Sequence, residues 1–213
     1  MTDARRRILQ GLRVHAAAKG RAPAIPVRRF EWSQEEAVDR LEQMMQAVRT
    51  EVHRVDDAWP QRLAEELTRA SARRLYYGAK GPLTGELTAG WPDSAPELVA
   101  WEGSIETTRD RLFDEADASF TSARAGIAET GSLVLWPTPA EPRLLSLVPP
   151  IHCVLLERRQ IVSTLHALMV EERWAAQMPT NALLISGPSK SADIEQTLAY
   201  GVHGPERLIL LIR

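Results

Sequence analysis

Apolar positions in this chain follow two patterns. In the first third they recur at helical spacing. Over Ala4–Ala18, Ile8, Leu9, Leu12 and Val14 to Ala16 lie roughly on one side with arginines elsewhere, which predicts an amphipathic helix. Lys19 to Phe30, with Gly20, Pro23 and Pro26, reads as an extended linker. Ser33-Gln-Glu-Glu36 is a capping box opening a second helix, whose Ala37, Val38, Leu41, Met44, Met45 and Val48 keep the 3.6-residue period. Glu51–Val55 predicts a short strand. Pro60 starts a third helix through Leu63, Leu67 and Ala70. Leu75-Tyr76-Tyr77 reads as a strand stopped by Gly78. The Gly- and Pro-rich stretch from Lys80 predicts loops with a short helix near Pro96–Trp101, followed by a helix from Thr107 and a strand near Ala118.

Further on, short continuous apolar runs replace the helical period. Ser132–Trp136, Ile151–Leu156, Ala182–Ser186 and Glu206–Ile212 each predict a strand, and glycines and prolines bound them. Ser163–Ala176 predicts one helix with Leu165, Leu168 and Met169 inward, ended by Pro179. A short helix is expected over Asp193–Tyr200, capped by Ser191, with Asp193 and Glu195 in its first turn. Alternation of this kind defines an α/β fold: a central mixed, partly parallel sheet flanked by helices. Residues 1–32 form a basic N-terminal helix and linker, and residues 33–213 the α/β domain.

Charge is unevenly placed. Residues 1–29 hold eight Lys and Arg against one Asp, a charge of +7, while the remainder carries −9, giving the overall −2. Such an arm suits docking on an acidic surface. It lacks the interleaved aromatics of a nucleic-acid binder, and the body is acidic, so no nucleic-acid partner is expected. No run approaches the ~18 apolar residues of a membrane span, and no signal peptide is evident, so the expected location is cytoplasmic. The single Cys153 allows neither an internal disulfide nor a self-contained iron–sulfur cluster, and its apolar surroundings make it a buried small side chain.

Two bends carry the candidate chemistry. In the first, Glu129 sits in a turn beside Gly131 with the hydroxyls of Thr130 and Ser132 close in sequence. A carboxylate so placed can serve as base, nucleophile or anchor, or simply cap a backbone N–H. In the second, Ser189, Lys190 and Ser191 precede the expected short helix, where a lysine and exposed N–H groups make an anion seat. Ordinary turn chemistry also accounts for these residues. His203, between Gly201 and Gly204, lies at a strand mouth. The five histidines lack H-x-x-x-H or H-E-x-x-H spacing, so no metal site is expected. His152 alternates along a strand and reads as packing.

Ile127-Ala-Glu-Thr-Gly-Ser132, Leu147-Val-Pro-Pro-Ile-His152, Gly187-Pro-Ser-Lys-Ser-Ala-Asp-Ile-Glu195 and Gly201-Val-His-Gly-Pro205 together resemble the LUD-domain family, in its lactate utilization protein C branch. The resemblance covers the whole chain. The family pattern has Thr where Ser132 stands, and Arg-Thr where Lys190 and Ser191 stand. Ser keeps the hydroxyl, whereas Lys keeps the charge and loses the two-pronged fork. The resemblance implies a fold like that of ribose-5-phosphate isomerase and coenzyme A transferases. It also implies a part in oxidising L-lactate to pyruvate beside separate iron–sulfur proteins, with no cofactor on this chain. A small anionic metabolite would then lie among Glu129, Thr130, Ser132, Ser189, Lys190, Ser191 and His203, at the carboxyl ends of strands. The alternative is a stand-alone enzyme acting on a sugar phosphate or acyl-CoA, with Glu129 as base or nucleophile, by analogy of fold.

Overall fold

The computed structural model describes residues 3–14, 27–102, 105–192, 198–201 and 203–213. Helix α1 (Asp3–Val14) carries the basic arm, and the rest of that arm's expected helix and most of its linker lie outside the described residues. Helix α2 (Gln34–Gln46) begins at Ser33, whose hydroxyl accepts from the Glu36 N–H while the Glu36 carboxylate accepts from the Ser33 N–H. Strand β1 (Glu51–Arg54) and helix α3 (Trp59–Arg69) follow, with Pro60 in the first turn, where its missing N–H costs nothing. Next come β2 (Arg74–Gly78), α4 (Thr84–Gly90), β3 (Glu97–Trp101), α5 (Ile105–Glu115) and β4 (Ala118–Ser122). Strands β5 (Ala125–Ile127), β6 (Ser132–Leu135), β7 (Ile151–Leu156) and β8 (Ile161–Val162) precede helices α6 (Leu165–Glu171) and α7 (Trp174–Gln177). The chain finishes with β9 (Leu183–Ile185), β10 (Lys190–Ala192), β11 (Leu198–Tyr200) and β12 (Arg207–Ile212).

The central sheet has the order β1-β12-β7-β4-β2-β3, and every neighbouring pair in it is parallel. The expected mixture of directions resides instead in a second sheet, β8-β5-β6-β9, and in the antiparallel pair β10-β11. A parallel sheet must be covered on both faces, and its inner strands are therefore mainly apolar, with Ser119, Thr121 and His152 as buried polar exceptions. On one face Trp59, Leu63 and Leu67 of α3 and Leu87 of α4 pack on Leu75, Phe120, Cys153, Leu155, Ile209 and Leu211. Trp59 is fully buried and stacks on Phe120 at 5.1 Å, so truncating it to Ala would cost about 3–5 kcal/mol. On the other face Val38, Leu41 and Met45 of α2 join Leu133 and Leu135 of the small sheet over Val154, Leu208 and Leu210. Leu168 and Trp174 of α6 and α7 cover the outer side of the small sheet.

Three expected elements differ. Glu97–Trp101 is an edge strand paired with β2 rather than a helix, because pairing with Arg74–Gly78 satisfies its backbone along the full length. Ser163–Ala176 is two short helices: Arg173 takes a left-handed conformation (φ 52°) that stops the first, and Met169 is exposed rather than inward. Most consequential is the stretch expected as the Asp193–Tyr200 helix. Lys190–Ala192 and Leu198–Tyr200 pair as antiparallel strands, with Ser191 opposite Ala199, so the ends of that stretch are extended; residues 193–197 lie outside the described residues.

Candidate functional site

The first bend is built by β5 and β6. Gly131 lets the chain reverse between them: its φ is +63°, and a Cβ there would lie 2.5 Å from the Met44 Cβ of α2. The Glu129 N–H donates to the Ser163 carbonyl at 3.0 Å, and its carboxylate accepts from Arg28 Nη1 at 3.2 Å. Glu129 thereby faces a hollow of about 720 Å³ between the 27–32 segment (Arg28, Phe30, Trp32) and α2 (Asp39, Arg40, Gln43). Phe30 and Trp32 stack at 4.2 Å, and Trp32 packs against the core, which fixes that segment on the body.

Thr130 and Ser132 turn elsewhere. Ser132 is buried, and its hydroxyl bonds Thr130 Oγ1 at 2.8 Å and Ser186 Oγ at 2.7 Å. Pairing of β6 with β9 sets Leu133 opposite Ile185, which brings Ser186 against Ser132. The second bend meets the third by backbone bonds: the Ser189 N–H donates to the Pro205 carbonyl at 2.8 Å, and the Gly201 N–H to the Ser189 carbonyl at 3.0 Å. Lys190 and His203 are both exposed there. These bends adjoin the starts of β7 and β12, where the Arg207 N–H donates to Pro150. They therefore lie at the amino-terminal edge of the central sheet, not at the carboxyl ends where a shared hollow was expected. Among the described residues, those lining the hollow beside Glu129 include none of Ser189, Lys190 and His203.

The carboxyl edge carries a different group of side chains. Gly78 ends β2, and a Cβ on it would fall 1.9 Å from the Ala140 carbonyl oxygen, so only glycine lets the 138–141 turn cross the strand ends this closely. The turn is held by Thr138, whose Oγ1 accepts from the Ala140 and Glu141 N–H groups at 3.2 and 3.1 Å. It delivers Glu141 to the end of β4. There the carboxyl accepts from Ser122 Oγ at 2.6 Å and from the Ser122 N–H at 3.2 Å. Burial pushes the Glu141 carboxyl above its ordinary range, with the Ser122 bonds opposing. No local pattern points to this residue, because it lies in a proline-rich loop between strands.

Two further titratable groups lie inside the sheet. His152 is fully buried, with Nε2 at 2.9 Å from Thr121 Oγ1 and Nδ1 without a partner among the described residues; burial lowers its pKa to about 3. Burial pushes the Cys153 thiol strongly up, so it is an inert core side chain. Among the described residues no three His, Cys, Asp or Glu side chains gather to hold a metal ion, and no helix is long and apolar enough to cross a membrane.

A six-stranded parallel sheet with a small second sheet packed over one face places the chain in the α/β class. The LUD domain matches residues 38–212, and the chain belongs to the LUD-domain family. It is 40% identical over 189 residues to an uncharacterized protein of Neisseria meningitidis serogroup B, covering 84% of this chain and 78% of that one. It is 33% identical over 139 residues to lactate utilization protein C of Exiguobacterium sp., covering 62% of this chain and 60% of that protein. Lactate utilization protein C of Bacillus subtilis is 28% identical over 140 residues, 64% of this chain and 57% of its own length. The matches thus span less than two thirds of these two relatives. A solved DUF162-family structure from Deinococcus radiodurans superposes with a TM-score of 0.62 at 25% identity, covering 85% of this chain and 98% of that one.

Proposed function

We propose that this chain acts in lactate utilization, as a cytoplasmic subunit that works beside separate iron–sulfur proteins in oxidising L-lactate to pyruvate. The observation that carries this reading is the LUD-domain match over residues 38–212 together with relatives called lactate utilization protein C. Redox chemistry then belongs to the partners, since the one cysteine of the sequence is a buried thiol unsuited to ligate a cluster. Helix α1 supplies a docking element: Arg5, Arg6, Arg7 and Arg13 share it with the exposed Ile8, Leu9 and Leu12. A basic helix with an uncovered apolar stripe fits an acidic partner surface with an apolar centre. The exposed Lys190, beside Ser189 and His203, offers a seat for a small anion in the same reading.

The test is complementation. This chain, expressed in a bacterium deleted for its own lactate utilization protein C, should restore growth on L-lactate, and iron–sulfur proteins should co-purify with it. Removing residues 1–29 should abolish that capture. No rescue and no captured iron–sulfur protein would refute the reading.

A further inference from the structure

At the carboxyl edge, the connections from β2 and β4 depart in opposite directions. β2 leads through α4 to β3 at the sheet margin, whereas β4 leads through the small sheet to β7 on its other side. Adjacent parallel strands whose connections diverge leave a crevice outside their carboxyl ends, and open α/β sheets hold their ligands in such crevices. Here the crevice is a cavity of about 360 Å³, the size of a small-molecule site. Glu141 and Ser122 line it together with Trp136, Arg124, Glu157 and Arg159.

The charges on its wall are not equivalent. Arg124 is engaged twice, by Glu172 at 2.9 Å and by the Trp136 ring at 4.5 Å. Glu157 is held by Arg213, whose Nε donates to it at 3.2 Å. Arg159 is exposed and makes no hydrogen bond or ion pair with the described residues. It is therefore the one uncommitted cation on this wall among the described residues. The Glu141 carboxyl has Ser122 as its hydrogen-bond partner and, among the described residues, forms no ion pair.

We propose that this crevice binds a small carboxylic acid that also bears an oxo or hydroxy oxygen, with its carboxylate on Arg159 and its second oxygen at Glu141. A free guanidinium presents the two-pronged donor set that a carboxylate matches. One such cation suits a single negative charge rather than a dianion. Burial favours the neutral form of Glu141. Ser122 donates to both carboxyl oxygens, its hydroxyl to Oε2 and its N–H to Oε1, and a neutral carboxyl still keeps one O–H to donate, so it can meet an oxo or hydroxy group without repelling the anion. Trp136 adds an aromatic side chain to the lining. The choice of acids rests on the lactate reading, but binding by the isolated chain needs no partner protein, so its failure and a failure of complementation are distinguishable.

Isothermal titration calorimetry on the full chain tests it, with pyruvate, L-lactate, acetate and inorganic phosphate as probes. Pyruvate or L-lactate should bind saturably, and Arg159→Ala should weaken that binding by at least about tenfold, the value of one charge-assisted hydrogen bond. Glu141→Ala should weaken the same acid, whereas Glu141→Gln, which still donates without a charge, should retain it. Acetate, lacking the second oxygen, should bind more weakly and be indifferent to Glu141→Ala. Absence of saturable binding by both acids would overturn the proposal. So would phosphate binding as tightly as either acid, or binding that survives Arg159→Ala. If Glu141→Ala fails to fold, the Arg159→Ala arm decides alone, since Arg159 is exposed and has no described partner to lose.

Discussion

Replacing His152 by Gln should change how stability responds to acid, and the size of the change follows from burial. The folded chain holds this imidazole neutral down to about pH 3, whereas an unfolded histidine takes up a proton near 6.5. Between those values the unfolded chain binds one proton more than the folded one, so stability falls as pH drops below 6.5 and is unaffected above it. Each pH unit is worth about 1.4 kcal/mol, which makes His152 responsible for a loss of about 1.4 kcal/mol by pH 5.5 and about 2.7 kcal/mol by pH 4.5. Glutamine still offers a partner to Thr121 and does not titrate. Urea unfolding of both proteins at neutral pH and at these two acid values isolates the effect, because the carboxylates titrate alike in both and cancel in the difference. Whatever the substitution costs at neutral pH, the variant should gain about 2.7 kcal/mol on the wild type by pH 4.5. A difference that stays constant across that range would refute the burial argument.

Gly131→Ala should lower stability by about 1–3 kcal/mol, from crowding against Met44 and the left-handed backbone, measured as a drop in melting temperature by calorimetry. Ser132→Ala removes the middle hydroxyl of the Thr130–Ser132–Ser186 chain and should cost about 1 kcal/mol in urea unfolding. Arg28→Ala should change stability by less than about 1 kcal/mol, because its pair with Glu129 is solvent-exposed on the arginine side. The Cys153 thiol should react with a disulfide reagent only as fast as the protein unfolds; prompt labelling of the native chain would contradict its burial.

Local signals announced the elements they physically cause. The Ser33–Glu36 capping box, Pro60 in the first turn of α3, and the runs Ile151–Leu156 and Arg207–Ile212 need no tertiary information, since each satisfies its own backbone or is apolar along most of both faces. Glu97–Trp101 misled because Pro96 resembles a helix start, while its strand state depends on Arg74–Gly78 lying alongside. Lys190–Ala192 misled for a similar reason: serine and acidic residues near an apolar position resemble a cap, but Leu198–Tyr200 is available as a strand partner. Candidate chemistry was legible as residue types and not as places. Thr130 and Ser132 are close in sequence and do touch, yet Ser186, which completes their chain, depends on the register of β6 with β9. Glu141 was invisible because nothing between Pro137 and Pro142 reveals that the turn crosses the end of β2 at Gly78.

Strand β12 lies between β1 and β7, and its Arg207 grips Glu51 from 156 residues away along the chain. While the protein is being synthesised, β1 has no neighbour in the sheet until that late strand arrives, and β7 waits with one side open. The middle of the sheet is thus closed by a distant partner, a topology that slows folding and leaves a sticky apolar margin in the growing chain. Ribosome-bound intermediates halted before residue 207 should therefore be natural clients of chaperones that shield unpaired strands.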